Sequence, residues 1–267
     1  MTGRRSGKVE GSSMTWLEML AVFAAGIAAG GINTVVGSGT LITFPVLLAI
    51  GLPPVTANVS NTVGLVPGSL SGAIGYRREL SGQWGRVLRY SSASLLGAAV
   101  GAVLLLTLPA GAFAAIVPVL IIAALVLVVV QPRLSAWVRQ RQAEADNVPA
   151  HGGPILLAAI FGTGIYGGYF GAAQGVLLLA LLGVFVHEDM QRLNAVKNVL
   201  ALLTNGLSAV IFIAVAEVDW LVVALIAAGA VIGGQLGAKV GRRLPPNVLR
   251  AVIVVVGTLA VIRLVFG

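Results

Sequence analysis

The chain has 267 residues, of which 58% are hydrophobic and only 10% charged, and its net charge is +8. A soluble domain carries about 25% charged residues, and no water-exposed fold hides this much apolar surface, so lipid is the expected solvent for most of it. The absence of cysteine excludes disulfides, zinc–thiolate centres and thiol nucleophiles. The basic excess lies in short loops between apolar runs, which is the pattern of membrane topology and not of nucleic-acid binding.

Residues 1–13 are polar and basic (Arg4, Arg5, Lys8) and read as a disordered tail. A spanning helix needs about 20 mostly apolar residues. Runs of that length lie at 16–36, 55–76, 86–107 and 112–130, and again at 154–171, 192–215, 220–240 and 247–266. The first is read as a span and not as a cleaved signal. Two shorter apolar segments, Leu41–Gly51 and Val176–Val186, each follow a glycine-rich break: Gly37-Ser38-Gly39 and Gly171-Ala172-Ala173-Gln174-Gly175. At about 1.5 Å per residue each covers half of the hydrocarbon core, unless the break before it also lies in the membrane. Residues 131–153 read as a cytoplasmic linker, in part helical, between a first repeat at 14–130 and a second at 154–267.

The halves are copies. A shift of 136 positions brings Gly39 onto Gly175, Asn58 onto Asn194, Asn61 onto Lys197, Trp84 onto Trp220 and Pro109 onto Pro245 without a gap. Matched Leu, Val and Ala mean little in so apolar a chain, but matched Trp, Asn, Pro and spaced Gly do not arise cheaply. Five segments per half, all crossing, make the second copy enter from the opposite face. The expected fold is therefore an all-α integral membrane protein with about ten transmembrane segments as two inverted repeats of five, one short broken helix in each. With the N-terminus outside, the inner loops hold Arg77, Arg78, Arg86, Arg89, Arg133, Arg139, Arg141, Arg192, Lys197, Lys239, Arg242, Arg243 and Arg250; only Arg4, Arg5, Lys8 and Arg263 fall outside. That is the distribution that the positive-inside rule favours.

Glycine at the breaks permits backbone conformations that other residues resist and lets a ligand approach the main chain. A short helix starting there aims unpaired N–H groups and partial positive charge into the bundle, which suits an oxyanion. The candidate site is accordingly Asn33, Gly37, Ser38, Gly39 and Thr40 at the first break, Gln174 and Gly175 at the second, and the polar faces Asn58, Asn61, Thr62 and Asn194, Lys197, Asn198 of the helices that follow. Side-chain amides and an ammonium donate to anions. An ionisable residue inside the membrane is a functional candidate by default, although Lys197 also fits a lysine snorkelling to the cytoplasmic edge. Gly31, Gly97, Gly101, Gly233 and Gly237 read as helix-packing glycines. His187, Glu188 and Asp189 read as a solvated turn and helix cap, and Trp84 and Trp220 as interfacial residues. No acid pair or histidine lies at depth, so an enzyme is not expected, nor is a metal or other cofactor.

The run Gly37-Ser-Gly-Thr-Leu-Ile-Thr-Phe-Pro45, then Gly51-Leu-Pro-Pro54, Ala57-Asn-Val-Ser-Asn-Thr62 and Gly72-Ala-Ile-Gly-Tyr-Arg-Arg78, resembles the TauE/SafE family of sulfite exporter-like permeases from about residue 16 onward. Ser38, Asn58, Asn61 and Ala173-Gln174 depart from its usual glycine, small or hydroxyl residues. The resemblance implies a permease for sulfite, an organosulfonate or a related sulfur oxyanion in a bacterial inner membrane, exporting by alternating access. An anion channel, or an uptake permease for another small organic anion, is the alternative. The expected partners are the small anion and the lipid bilayer, with a homodimer compatible and no nucleic acid.

Overall fold

A computed structural model describes residues 14–144, 152–240, 251, 253–259, 261 and 262. The N-terminal tail, Asp146, His151, Arg242, Arg243, Pro245, Arg250 and Arg263 lie outside the described residues, as do the side chains of Arg139, Arg141 and Glu144. The described secondary structure is helical: α1 (Trp16–Val35), α2 (Thr40–Ala49), α3 (Pro54–Gly75), α4 (Trp84–Thr107), α5 (Ala110–Glu144), α6 (Gly153–Tyr169), α7 (Gln174–Phe185), α8 (Met190–Val215) and α9 (Trp220–Val240). The described residues of the last expected span, 251, 253–259, 261 and 262, are also helical.

Local chemistry sets several boundaries. Thr15 accepts from Glu18 N at 3.3 Å while Glu18 Oε2 accepts from Thr15 N at 2.8 Å, a reciprocal cap that starts α1. Pro54 starts α3, where its missing N–H costs nothing. Asp189 Oδ1 accepts from Gln191 N at 2.8 Å and starts α8. The helix cap expected at 187–189 is thus present, carried by Asp189.

By length and composition, α1, α4, α8, α9 and the Ala110–Val138 part of α5 can cross a membrane. Their outer faces are apolar and open, as at Leu88 and Val215, which are 70% and 72% exposed; such surface is stable against lipid, not water. Helix α5 has 35 residues, about 52 Å at 1.5 Å per residue, and passes straight through Pro132. No break occurs at the boundary expected at residue 130. The first part of the linker is a continuation of the spanning helix beyond the hydrocarbon core of about 30 Å.

Packing crosses between the halves. Helix α1 packs on α9, and its counterpart α6 packs on α4; α3 packs on α9, its counterpart α8 packs on α4, and α3 meets α8. Glycines line these seams. A methyl on Gly233 would sit 1.9 Å from Ile27 O, and one on Gly101 would sit 2.0 Å from Ile165 O. The backbones therefore approach as only small residues allow, and the packing role expected for these glycines holds. Trp84 and Trp220, counterparts across the repeat, each open a helix and stand exposed.

Candidate functional site

The two breaks meet inside the bundle. Gly37 has φ +87°, and its counterpart Ala173 has φ +57°, a conformation that costs a non-glycine residue about 1 kcal/mol. Each turn folds back on the helix before it: Gly37 N donates to Ile32 O at 3.0 Å, and Gly171 N to Tyr166 O at 3.0 Å. One turn then bonds to the other, Gly175 N donating to Gly37 O at 3.0 Å. A methyl on Gly37 would lie 2.4 Å from Gly175 Cα, and one on Gly175 would lie 2.5 Å from Gly37 Cα. No gap separates the two breaks in this conformation, because two bare backbones pack directly.

The polar faces of α3 and α8 converge on the same region. A helix leaves its last carbonyls without internal partners, and α1 and α6 both end at depth. Thr34 O, at the end of α1, accepts from Asn194 Nδ2 at 3.3 Å, Asn198 Nδ2 at 3.3 Å and Lys197 Nζ at 3.3 Å. Lys197 Nζ also donates to Asn33 O at 3.1 Å. Lys197 is 0% exposed and its aliphatic stem lies over Gly175. It does not snorkel and belongs to no loop, so it drops out of the inner-loop basic residues. At the end of α6, Tyr169 O accepts from Asn58 Nδ2 at 3.0 Å.

The remaining expected residues take several roles. Asn61 donates to Thr40 Oγ1 at 3.3 Å and accepts a short bond from Thr43 Oγ1. Gln174 donates to Thr204 Oγ1 at 3.2 Å, which pairs with Ser94 Oγ at 2.9 Å. Asn33 donates to Ser69 Oγ at 3.4 Å. Thr62 bonds back to Asn58 O in its own helix at 2.9 Å and offers its proton to nothing else. Ser38, 1% exposed, has an unpartnered Oγ, as do Asn58 and Asn194 at Oδ1. Ser38, Gly39 and Thr40 place their amides at the start of α2, and none of these amides forms a backbone bond among the described residues.

Sequence reasoning missed Thr34, Thr43, Ser94 and Thr204. Thr43 stands one turn from Thr40, and Thr34 lies at the helix end before the first break; those spacings were the available signals. What the arrangement can do follows from its donors. Two amides and the Lys197 amino nitrogen converge on one carbonyl oxygen, and an oxyanion presents the same acceptor chemistry with full charge.

Outside the membrane core, Glu188 Oε2 meets Arg86 Nη1 at 3.2 Å and Glu188 Oε1 meets Arg192 Nε at 2.9 Å, joining α4 of one half to the α7–α8 turn of the other. Partial burial by itself would raise the Glu188 carboxyl, but the Arg86 hydrogen bond and the Arg192 charge outweigh it and hold the group below the ordinary carboxylate range.

Comparison with known proteins places the chain among membrane transporters. A family profile described as "Sulfite exporter TauE/SafE" matches residues 22–264. A "Probable membrane transporter protein" of Haemophilus influenzae is 24% identical over 251 residues, covering 94% of this chain and 96% of that protein. The "Probable membrane transporter protein YfcA" of Escherichia coli K12 is 25% identical over 246 residues, covering 92% and 88%. The "Probable membrane transporter protein ORF9" of Sinorhizobium is 26% identical over 243 residues, covering 91% and 90%. No solved structure matches.

Proposed function

The chain belongs to the sulfite exporter TauE/SafE family of membrane transporters, and from that premise we propose that it exports a small sulfur oxyanion, sulfite or an organosulfonate, across the bacterial inner membrane. The observation that carries the reading is the convergence of Asn194, Lys197 and Asn198 on Thr34 O, one break away from the amides of Ser38, Gly39 and Thr40.

Thr34 O is a stand-in acceptor. When the two breaks part, the Asn194 and Asn198 amides that cap the end of α1 turn to a substrate oxygen beside Lys197, and Ser38 Oγ and the α2 amides complete its shell. With Gly37 against Gly175, the present conformation is closed. The two halves work as inverted repeats that rock against each other, exposing the breaks to either face in turn. The reciprocal pairing of α1 with α9 and of α6 with α4 supports that plan.

The test is flux. Purified protein in liposomes should carry sulfite, thiosulfate or a small sulfonate with saturable kinetics, and Asn194→Ala and Asn198→Ala should each raise the half-saturating concentration several-fold. No saturable flux for any of these anions would end the proposal, and flux that rises without saturation would mean a channel.

A further inference from the structure

Resting on the permease reading, we propose that Lys197 makes transport proton-coupled: it takes up a proton with the anion and surrenders it when the anion leaves, so that anion and proton cross together.

The argument begins with charge balance. Lys197 is wholly buried, and its partners are the carbonyls of Asn33 and Thr34. Glu188 is paired with Arg86 and Arg192 and not with Lys197. The end of α1 supplies only about half a negative charge. Elements packed around α8 offer no carboxylate. α3 and α7 carry no ionisable side chain, α6 carries Tyr166 and Tyr169, and α4 carries Arg86, Arg89 and Tyr90 in its first turns. Tyr166 already donates its hydroxyl to Ala172 O at 2.5 Å. α1 holds Glu18 at its far end, and α8 itself holds Arg192 five positions from Lys197.

A lone ion in such surroundings is costly, whereas an ion and its counterion together are not. The loaded site is neutral when an ammonium faces a monovalent oxyanion; the empty site is neutral when the side chain is an amine. The cycle with the smallest charge penalty in both states therefore binds the proton and the anion together. On loading, the Lys197 nitrogen lone pair forms an N–H bond to a proton from the medium. On release that bond breaks, and the proton leaves with the anion to water. An ammonium has three N–H groups, and two are engaged by α1, leaving one for the ligand.

The repeat supplies an internal control. Asn61, the counterpart of Lys197, is a neutral amide bonded to Thr40 and Thr43 within its own half. Lys197 instead reaches from the second half to α1 of the first. A titratable group at that bridge changes its contacts whenever the halves move, as coupling of a proton to movement requires.

Methanesulfonate is the probe, because it stays ionised and cannot carry a proton itself. Wild-type protein is reconstituted in liposomes with the membrane potential clamped to zero, and a pH gradient of about one unit is imposed. Proton coupling predicts about tenfold accumulation of methanesulfonate on the alkaline side, with matching proton entry seen by an internal pH dye. Lys197→Gln and Lys197→Arg slow exchange, and whatever flux remains in either ignores the pH gradient. Saturable methanesulfonate flux in the wild type without accumulation or proton entry overturns the coupling while leaving the permease standing. Gradient-driven accumulation retained in Lys197→Gln overturns the assignment to Lys197. Complete absence of anion flux overturns both readings.

Discussion

Asn58 and Asn194, counterparts in the two halves, do the same thing in opposite directions: Asn58 gives its amide to the last carbonyl of α6 at 3.0 Å, and Asn194 gives its amide to the end of α1 at 3.3 Å. Each reaches across to the half it does not belong to, and each keeps an unpartnered Oδ1. The carbonyl ends of the two broken helices are thereby held by the opposite copy.

These two amides differ in redundancy. Thr34 O keeps Lys197 and Asn198 when Asn194 is lost, whereas Tyr169 O has Asn58 as its side-chain donor among the described residues. Leaving a buried carbonyl unpaired costs about 1–3 kcal/mol. Asn58→Ala is expected to lower the thermal midpoint of the detergent-purified protein clearly more than Asn194→Ala does. Equal shifts would contradict the redundancy.

The contact between the breaks makes a sharp glycine contrast. In Gly175→Ala the new methyl meets Gly37 Cα at 2.5 Å, backbone against backbone. Such overpacking costs about 1–3 kcal/mol, and it should abolish most flux. Gly162→Ala, on an exposed face of α6, has nothing within 4 Å. It should leave flux intact and stabilise the helix by up to about 1 kcal/mol. Parallel melting curves and flux assays on the two variants check this.

Orientation is accessible because the chain contains no cysteine. Ser81 and Glu217 are exposed on the loops before α4 and α9. Single variants Ser81→Cys and Glu217→Cys should react with a membrane-impermeant maleimide from opposite sides in intact cells: Glu217→Cys directly, Ser81→Cys only after permeabilisation. Labelling of both from one side would refute the ten-span topology.

The Glu188 carboxyl sets a pH dependence. Because the folded protein holds it below its ordinary value of 4.5, the ionised form contributes stability that is fully present above that value and is lost as the pH falls through the lower, folded value. For a partly exposed cluster this is under about 1 kcal/mol. Glu188→Gln should flatten the acid limb of the midpoint-versus-pH curve while leaving its neutral region shifted by a constant amount.

Much of the helical plan was legible before any coordinates. The spans expected at 86–107 and 220–240 are α4 and α9, and the glycine breaks mark where α2 and α7 begin, because a repeat exposes the positions that both copies need. Two things were not legible. Helix α5 runs past Pro132 to Glu144, since a proline costs one internal bond and a local clash, and the continued helix absorbs both. The acceptors of Asn194, Lys197 and Asn198 were hidden for another reason. Helical spacing says which side chains share a face, but not which carbonyl from the far half that face will meet. Gly37 and Gly175, read as positions where a ligand approaches the main chain, instead touch each other, because glycine serves close packing as readily as ligand approach.

The seam between α1 and α9 carries a consequence for biogenesis. Helix α1 leaves the ribosome about two hundred residues ahead of its glycine-lined partner α9, roughly 10–40 s at 5–20 residues per second. During that interval Gly26 and Gly30 face lipid tails or a chaperoning insertase where Ile226 and Ala230 will later sit. Truncation before α9 therefore does not yield half a transporter. It strands α1 without the surface it was shaped to meet, and membrane quality control gains its substrate.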